Sequence, residues 1–321
     1  MKRGIALAGS IIHDRIFTIA SYPEIGTLTR ISNIKNAVGG LVPNDGIDLK
    51  KLDTGVPVYA LGRVGNDDSG RLCLNAMSET GVDTSLVQVC RESVTGFTDV
   101  MSIEGGQRTF FTHSGANDEF SYEDVPWDAL SVDMLHLGYF LLLKKIDAGD
   151  GIRILKEAQK RGIKTSVDFV SERAEKYPPL IPCLEYVDNL ILNEHEAGAL
   201  VGIRANESNL IEIAERLLSF GVRERVIIHS PMLSVSVTAS GESTSLGSLI
   251  LPDGFIVGTA GAGDAFCSGA LLGIYRERSE REILAWATYS AAQSLRSADG
   301  TSAMTSLENI MKALSHLPFR S

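Results

Sequence analysis

The run Gly258-Thr259-Ala260-Gly261-Ala262-Gly263-Asp264-Ala265-Phe266 brings three glycines up to one carboxylate and then passes into small and apolar residues through Ile274. Small residues entering a helix leave backbone N–H groups exposed at its positive end, where anionic oxygens are held. A carboxylate beside that anion can take a proton from an alcohol while the N–H groups stabilise charge building on a transferred phosphoryl group. The same run is also compatible with a helix packed closely on a strand, Asp264 being a first-turn carboxylate favoured by the dipole. It is no dinucleotide fingerprint, because Gly261-x-Gly263 lacks a third glycine, an early βαβ position and a downstream acidic partner.

A loop of this kind works only if a strand delivers it and a helix leaves it. From about residue 133 short apolar runs alternate with amphipathic stretches, the pattern of βαβ units around a parallel sheet. Met134 to Gly138, Thr165 to Val170, Asn189 to Leu192 and Val226 to Ile228 read as buried strands. Helices over Gly151 to Arg161 and Asn209 to Phe220 end at Gly162 and Gly221, which suit left-handed caps. The first third adds a core strand over Gly4 to Ile12, a strand over Val56 to Val64 and a helix over Ser69 to Ser78 ended by Gly81. A second texture interrupts this body. Ile16 to Ile34 and Thr95 to His113 alternate β-branched or aromatic residues with polar ones, with Gly105-Gly106 as a hairpin turn in the latter, so segments of about 15–35 and 95–115 predict a small projecting sheet, a lid. Without repeats or a long linker, residues 1–321 read as one domain.

Composition narrows the partners. Thirty basic against 40 acidic residues give a net charge of −10, which opposes binding to nucleic acid and to anionic membrane surfaces. No apolar run reaches a membrane span; the most apolar, Leu135 to Leu143, contains His136 and stops at Lys144-Lys145. Cys73, Cys90, Cys183 and Cys267 show no metal-ligand or paired spacing, which predicts reduced thiols in a cytoplasm.

Four ordered segments carry a resemblance. Gly258 to Ala270 resembles the C-terminal signature of the ribokinase-like (PfkB) carbohydrate kinases, Gly62-Arg63-Val64-Gly65-Asn66-Asp67-Asp68-Ser69-Gly70 their N-terminal signature, Gly39-Gly40 with Asn44 their diglycine and downstream Asn, and Asn193-Glu194-His195-Glu196 their Asn-x-x-Glu element. The resemblance implies an α/β fold: a three-layer body with a central, mostly parallel sheet, and a small β-sheet lid over a sugar site. It also implies Mg-ATP as phosphoryl donor and a homodimer formed through the lids, whose open edges a second copy covers.

By the same resemblance Asp264 is the general base, and Gly261, Ala262 and Gly263 form the anion hole. Asp14 holds sugar hydroxyls, Gly39 and Gly40 let the backbone approach the sugar, and Asn44 offers it a donor and an acceptor. Taken alone, Pro43-Asn44-Asp45-Gly46 has turn chemistry. Asn193 and Glu196 organise Mg²⁺ and the phosphates, Glu196 through water. Thr259 and Ser230 fall on the nucleotide side, Ser230 standing where the family has a Thr. Gly115-Ala116-Asn117 resembles a segment near the substrate of several sugar kinases, and Asn117 either reaches a hydroxyl or forms a turn with Asp118.

The sequence departs from the family at several places, among them Ala260 where a hydroxyl residue is common, and Leu41-Val42-Pro43 and Asp45-Gly46 where many members have small residues and a smooth helix start. Gly258 replaces an Asp that helps hold an activating monovalent cation in some members, and His229-Ser230-Pro231-Met232 replaces a Thr and a glycine-containing turn. Three functions follow from these residues. The first is a kinase for a free sugar or sugar acid. The second is a nucleoside kinase, whose base would stack near Ile16, Phe17 and Phe97, and the third a non-catalytic sugar- or nucleotide-binding regulator. A phosphosugar would need a cationic clamp assembled from Arg15, Arg30, Lys35 and Arg108.

Overall fold

A computed structural model of the chain describes residues 3–103, 108–170 and 177–321. Strands β1 (Ile5–Ala8), β2 (Ile12–Ile19) and β3 (Ile31–Gly39) lead into helix α1 (Leu41–Leu52); β4 (Val58–Leu61) and β5 (Arg63–Gly65) precede α2 (Asp68–Glu79). Next come β6 (Gln88–Cys90), β7 (Gly96–Ile103), β8 (Arg108–His113), β9 (Met134–Phe140), α3 (Gly151–Lys160), β10 (Lys164–Phe169) and β11 (Asn189–Asn193). The chain continues through α4 (Glu194–Val201), α5 (Leu210–Ser219), β12 (Arg225–His229), β13 (Leu233–Thr238), β14 (Ser243–Gly247), α6 (Ala262–Tyr275), α7 (Glu280–Ser294) and α8 (Leu307–Leu314).

Eight strands make the central sheet in the order β14-β13-β12-β11-β10-β9-β1-β4, parallel except where β13 and β14 join β12 as antiparallel neighbours. The pleat sorts β1 between two cores: Ile5 and Leu7 pack under α1, α2, α6, α7 and α8, whereas Ala6 and Ala8 face α3, α4 and α5. Buried on both faces, these strands are near-continuous apolar runs, and the four read from sequence after residue 133 appear with ends shifted by one or two residues. Gly81, Gly162 and Gly221 take positive φ values just past their helices.

A separate four-stranded sheet has the order β3-β2-β7-β8. The alternating stretch Ile16 to Ile34 is not one element: two antiparallel strands, β2 and β3, flank an irregular connection. Gly105-Gly106 lies outside the described residues. Val56 to Val64 also divides, because Gly62 passes so close to Gly9 that a side chain there would lie 2.8 Å from the Gly9 carbonyl oxygen; β4 joins the central sheet and β5 pairs with β6. Pro43-Asn44-Asp45-Gly46 forms the first turns of α1 rather than a turn, Pro43 occupying an early position where its missing N–H costs no helical bond.

Two carboxylates in α1 break its amphipathic pattern. Asp45 and Asp48 are fully buried, and neither oxygen of Asp48 finds a hydrogen-bond partner among the described residues. Desolvation raises both carboxyls well above their usual range, with Asp264 adding to each shift. Among the described residues no helix is long and apolar enough to cross a membrane.

Candidate active site

Helix α6 starts at the predicted loop. Gly261 caps it with φ 76°, and a Cβ there would come within 2.3 Å of Gly300 Cα, so the turn needs glycine for its conformation and for its close approach. The first-turn N–H groups have no acceptor within the helix. Gly261, Ala262, Gly263 and Asp264 line a cavity of about 260 Å³ together with Tyr139, Asp168, Asn193, Glu196, His229 and Thr259. A side chain added at Gly263 would meet open space.

Asp264 is the third residue of α6 and is 8% exposed. Its Oδ1 accepts from the Tyr139 hydroxyl at 2.7 Å and its Oδ2 from Asn44 Nδ2 at 2.8 Å. Burial raises its carboxyl above the ordinary value, while these two donors hold it back. Asn44 therefore contacts the carboxylate beside which the resemblance placed it as a sugar ligand.

Nothing in the sequence pointed to Tyr139. It sits in β9 where the register with β10 shifts: Leu137 pairs with Val167, but Phe140 pairs with Phe169. Three steps along β9 thus match two along β10, and the extra residue makes a bulge that turns a side chain toward the site. Tyr139 pays with a φ of 59°, and its N–H is secured by Asp168 Oδ1 at 3.0 Å. Gly138 before it is obligatory, since a Cβ would lie 2.0 Å from both Asp168 Oδ1 and Leu41 Cδ1.

The small sheet brings Asp14 to the same region. Its carboxyl is raised to about 6, first by burial, with a Thr98 hydrogen bond opposing and the Asp264 charge adding. Gly39 faces it across the strand pair; a Cβ there would fall 2.3 Å from Asp14 Oδ2. Gly40, φ 84°, starts α1 against Ser10. The Asn117 side chain is engaged by the backbone on either side of it in space. It is 2% exposed, and its amide is bound by Ile11 N–H and C=O, both at 2.9 Å, and by the Ser114 carbonyl.

Asn193 and Glu196 form the N-terminal capping box of α4. Asn193 Oδ1 accepts from the N–H groups of His195 and Glu196, and the Glu196 carboxylate takes the Asn193 N–H and side-chain amide. The box fixes a carboxylate on the wall of the cavity that the start of α6 also lines, a hard oxygen donor of the kind Mg²⁺ prefers. Beyond it opens a larger, mainly apolar cavity of about 650 Å³, lined by Thr259, Ser230, Pro231, Met232, Leu249, Phe266 and others. His229 stacks on Phe266 with centroids 4.5 Å apart and is kept neutral by burial, which lowers it to about 4.

Residues 3–307 match the profile of the pfkB family carbohydrate kinases. The chain belongs to that family. A ribokinase from Haemophilus influenzae is 23% identical over 318 residues, 98% of this chain and 100% of the relative. Adenosine kinase from Saccharomyces cerevisiae is 30% identical over 236 residues, 70% and 67% of the two chains. The solved structure of Arabidopsis thaliana ribokinase complexed with ribose and ATP superposes with a TM-score of 0.83, covering 98% of this chain and 99% of that one at 22% identity. The fold expected from the sequence, a mostly parallel central sheet between helical layers plus a smaller sheet, is the ribokinase fold. The protein is a ribokinase-like carbohydrate or nucleoside kinase, hence a phosphotransferase.

The loop is tightly packed at Gly258. A Cβ at Gly258 would sit 2.7 Å from the Ser297 carbonyl oxygen and 2.9 Å from Ala298 Cα, so no carboxylate fits there without moving residues 297–298. The Ser230 hydroxyl is engaged locally, donating to the Leu233 carbonyl and accepting the N–H groups of Met232 and Leu233 in the turn that contains Pro231. Of the basic residues named for a phosphosugar clamp, Arg15 pairs with Asp99 and Lys35 with Asp299.

Proposed function

We propose that the chain transfers the γ-phosphoryl group of ATP to a hydroxyl of a small free sugar or sugar acid, with Asp264 as general base. The observation that carries this reading is the position of Asp264. One buried carboxylate borders the positive start of α6, the Glu196 cavity and the Asp14–Gly39 face of the small sheet. Residues 1–321 act as one kinase domain, with the small sheet as a lid over the sugar.

In this reading the sugar lies between the lid and α1, its hydroxyls accepted by Asp14 and approached by the backbone at Gly39 and Gly40. Asn44 has a double part: its amide nitrogen orients Asp264, and its carbonyl oxygen is left to accept a sugar hydroxyl. Desolvation makes Asp264 a stronger base than an exposed Asp, and Tyr139 keeps it ionised and aimed. The N–H groups of Gly261, Ala262 and Gly263 stabilise negative charge on the transferred group, Ala262 N–H giving up its long 3.4 Å bond to the Thr259 carbonyl to do so.

ATP lies across the two cavities, phosphates toward Asn193 and Glu196, adenosine toward Thr259, Ser230 and the apolar wall. Glu196 is the residue that would hold Mg²⁺, through water, and the ion when bound offsets charge on the phosphate oxygens. Gly258 is closed to a side chain, so the carboxylate that helps hold an activating monovalent cation in some family members has no place here. The outer strands of the lid expose Ile31, Ile34, Phe110 and Phe111, an apolar surface suited to a second copy, so the enzyme is a homodimer through its lids. Its four cysteines are unpaired, as in a cytoplasmic protein.

A nucleoside acceptor is the second reading, favoured by the 30% identity to an adenosine kinase. The deciding experiment measures Mg-ATP-dependent ADP formation with ketoses, aldoses, sugar acids, phosphosugars and nucleosides, wild type beside Asp264→Asn. Turnover with a free sugar or sugar acid, reduced at least about a hundredfold in the variant, is expected. Preference for nucleosides would install the second reading. Ligand-induced thermal stabilisation with no turnover above the variant would make the protein a binding regulator on a kinase scaffold.

A further inference from the structure

Next to Asp264 three side chains from three elements converge, one of which, Cys267, also lines the cavity. Asp45 of α1 and His136 of β9 are fully buried and Cys267 of α6 is 2% exposed. Cys267 Sγ lies 3.6 Å from His136 Nε2, Asp45 Oδ2 lies 3.6 Å from the same nitrogen, and the three ligand atoms fall within 4.8 Å of one another. Among the described residues Asp45 Oδ2 has no hydrogen-bond partner. An apolar core does not collect a carboxylate oxygen, a thiol and an imidazole nitrogen around one point without a compensating group, because each loses its hydration there.

We propose that Asp45, His136 and Cys267 bind a thiophilic divalent cation, Zn²⁺ by the character of its donors. A point equidistant from three atoms with these spacings lies about 2.0 to 2.4 Å from each, the length of zinc bonds to nitrogen, oxygen and sulfur. Mixed N, O and S donors select Zn²⁺ over the Mg²⁺ that an ATP site takes. The surrounding shell already orients the ligands: Ser166 Oγ lies 3.1 Å from His136 Nδ1, leaving Nε2 for the metal, and Ser268 Oγ donates to Asp45 Oδ1 at 3.3 Å. Cys267 and Asp168 both reach the 260 Å³ cavity, which gives an entry path and an open fourth position; Asp168 Oδ1 stands 3.8 Å from His136 Nε2 on that side. Binding displaces to solvent both the Cys267 thiol proton and the proton that burial favours on Asp45, so carboxylate and thiolate together balance the charge of the ion. The site ties α1, which carries Asn44, to α6, which carries Asp264, across β9. It is distinct from the Glu196 position and does not depend on which acceptor the enzyme phosphorylates.

The test titrates Co²⁺ into the full chain after removal of bound metal with a chelator. A thiolate-to-cobalt charge-transfer band that saturates at one ion per chain and is bleached by Zn²⁺ is expected. Cys267→Ser, which retains Cys73, Cys90 and Cys183, should lose the band. Ser166→Ala should keep it with affinity weakened by roughly 10- to 100-fold. Absence of the band in wild type, or its persistence in folded Cys267→Ser, would overturn the site. Where Cys267→Ser fails to fold, unchanged affinity in Ser166→Ala does the same. None of these readouts requires turnover.

Discussion

Replacing Tyr139 by Phe removes one oxygen and keeps the ring, so the strained backbone at φ 59° and the β9 bulge stay as they are. What changes is Asp264 Oδ1, which loses a donor at 2.7 Å in a buried setting. A hydrogen bond to a charged group contributes about 1.5–3 kcal/mol, and 1.36 kcal/mol corresponds to one pKa unit, so the carboxyl should rise by about 1–2 units. The sign is fixed by which form the bond favours. Tyr139 stabilises the ionised base; without it Asp264 protonates at higher pH, and the acid limb of kcat/KM moves upward by that amount. Within the limb the variant should be about 10- to 100-fold slower than wild type at equal pH. Above it the two should converge to within a few-fold, because Asn44 still orients the carboxylate. The measurement is the kcat/KM profile for the best acceptor from pH 5 to 9, read as ADP formed. A limb that stays in place, or moves to lower pH, would refute the assignment of Tyr139 as a donor to an ionised base. A uniform loss at every pH would mean that the hydroxyl contributes geometry alone.

Asn117→Ala strips partners from both backbone groups of Ile11, each a buried polar atom worth about 1–3 kcal/mol when orphaned, so stability should fall by roughly 2–5 kcal/mol in denaturant titrations. At a temperature where the variant is folded its acceptor KM should match wild type, and a raised KM would return Asn117 to the sugar site. Asp14 must be ionised to accept two sugar hydroxyls; with its carboxyl at about 6, the acceptor KM should rise about tenfold between pH 7 and pH 5. A KM flat over that span with turnover intact removes Asp14 from sugar binding. Phe110→Arg places a charge on the exposed lid surface and should shift sedimentation from dimer to monomer, whereas an unchanged sedimentation coefficient locates any self-association elsewhere.

The body of the fold was legible because it obeys local rules. Four buried strands and the helices over Gly151 to Arg161 and Asn209 to Phe220 follow from apolar runs, periodicity and terminal glycines, which need no tertiary information. The loop before α6 was legible from its glycines alone, whereas the Asn-x-x-Glu element was singled out only through the family resemblance; it also carries the sequence signature of the capping box it forms. Tyr139 was illegible, since a bulge depends on the register between two strands and a tyrosine at positive φ has no sequence mark. Pro43-Asn44-Asp45-Gly46 misled in isolation because turn propensity was overridden by packing of α1 against α6 and β1. The convergence of Asp45, His136 and Cys267 was invisible to cysteine spacing, which detects ligands close in sequence and not ligands drawn from three separate elements.

The Asn44–Asp264 hydrogen bond joins residues 220 positions apart, and Lys51 to the Thr301 carbonyl spans 250. Contacts so distant in sequence repay their loop-closure entropy only late in folding, after the local βαβ units have condensed. During refolding from denaturant, helical signal should therefore return ahead of catalysis, which reappears only as the two ends of the chain dock. Activity in such an enzyme serves as a stringent gauge of nativeness, because a population can look largely structured while the carboxylate at its centre still lacks the neighbour that aims it.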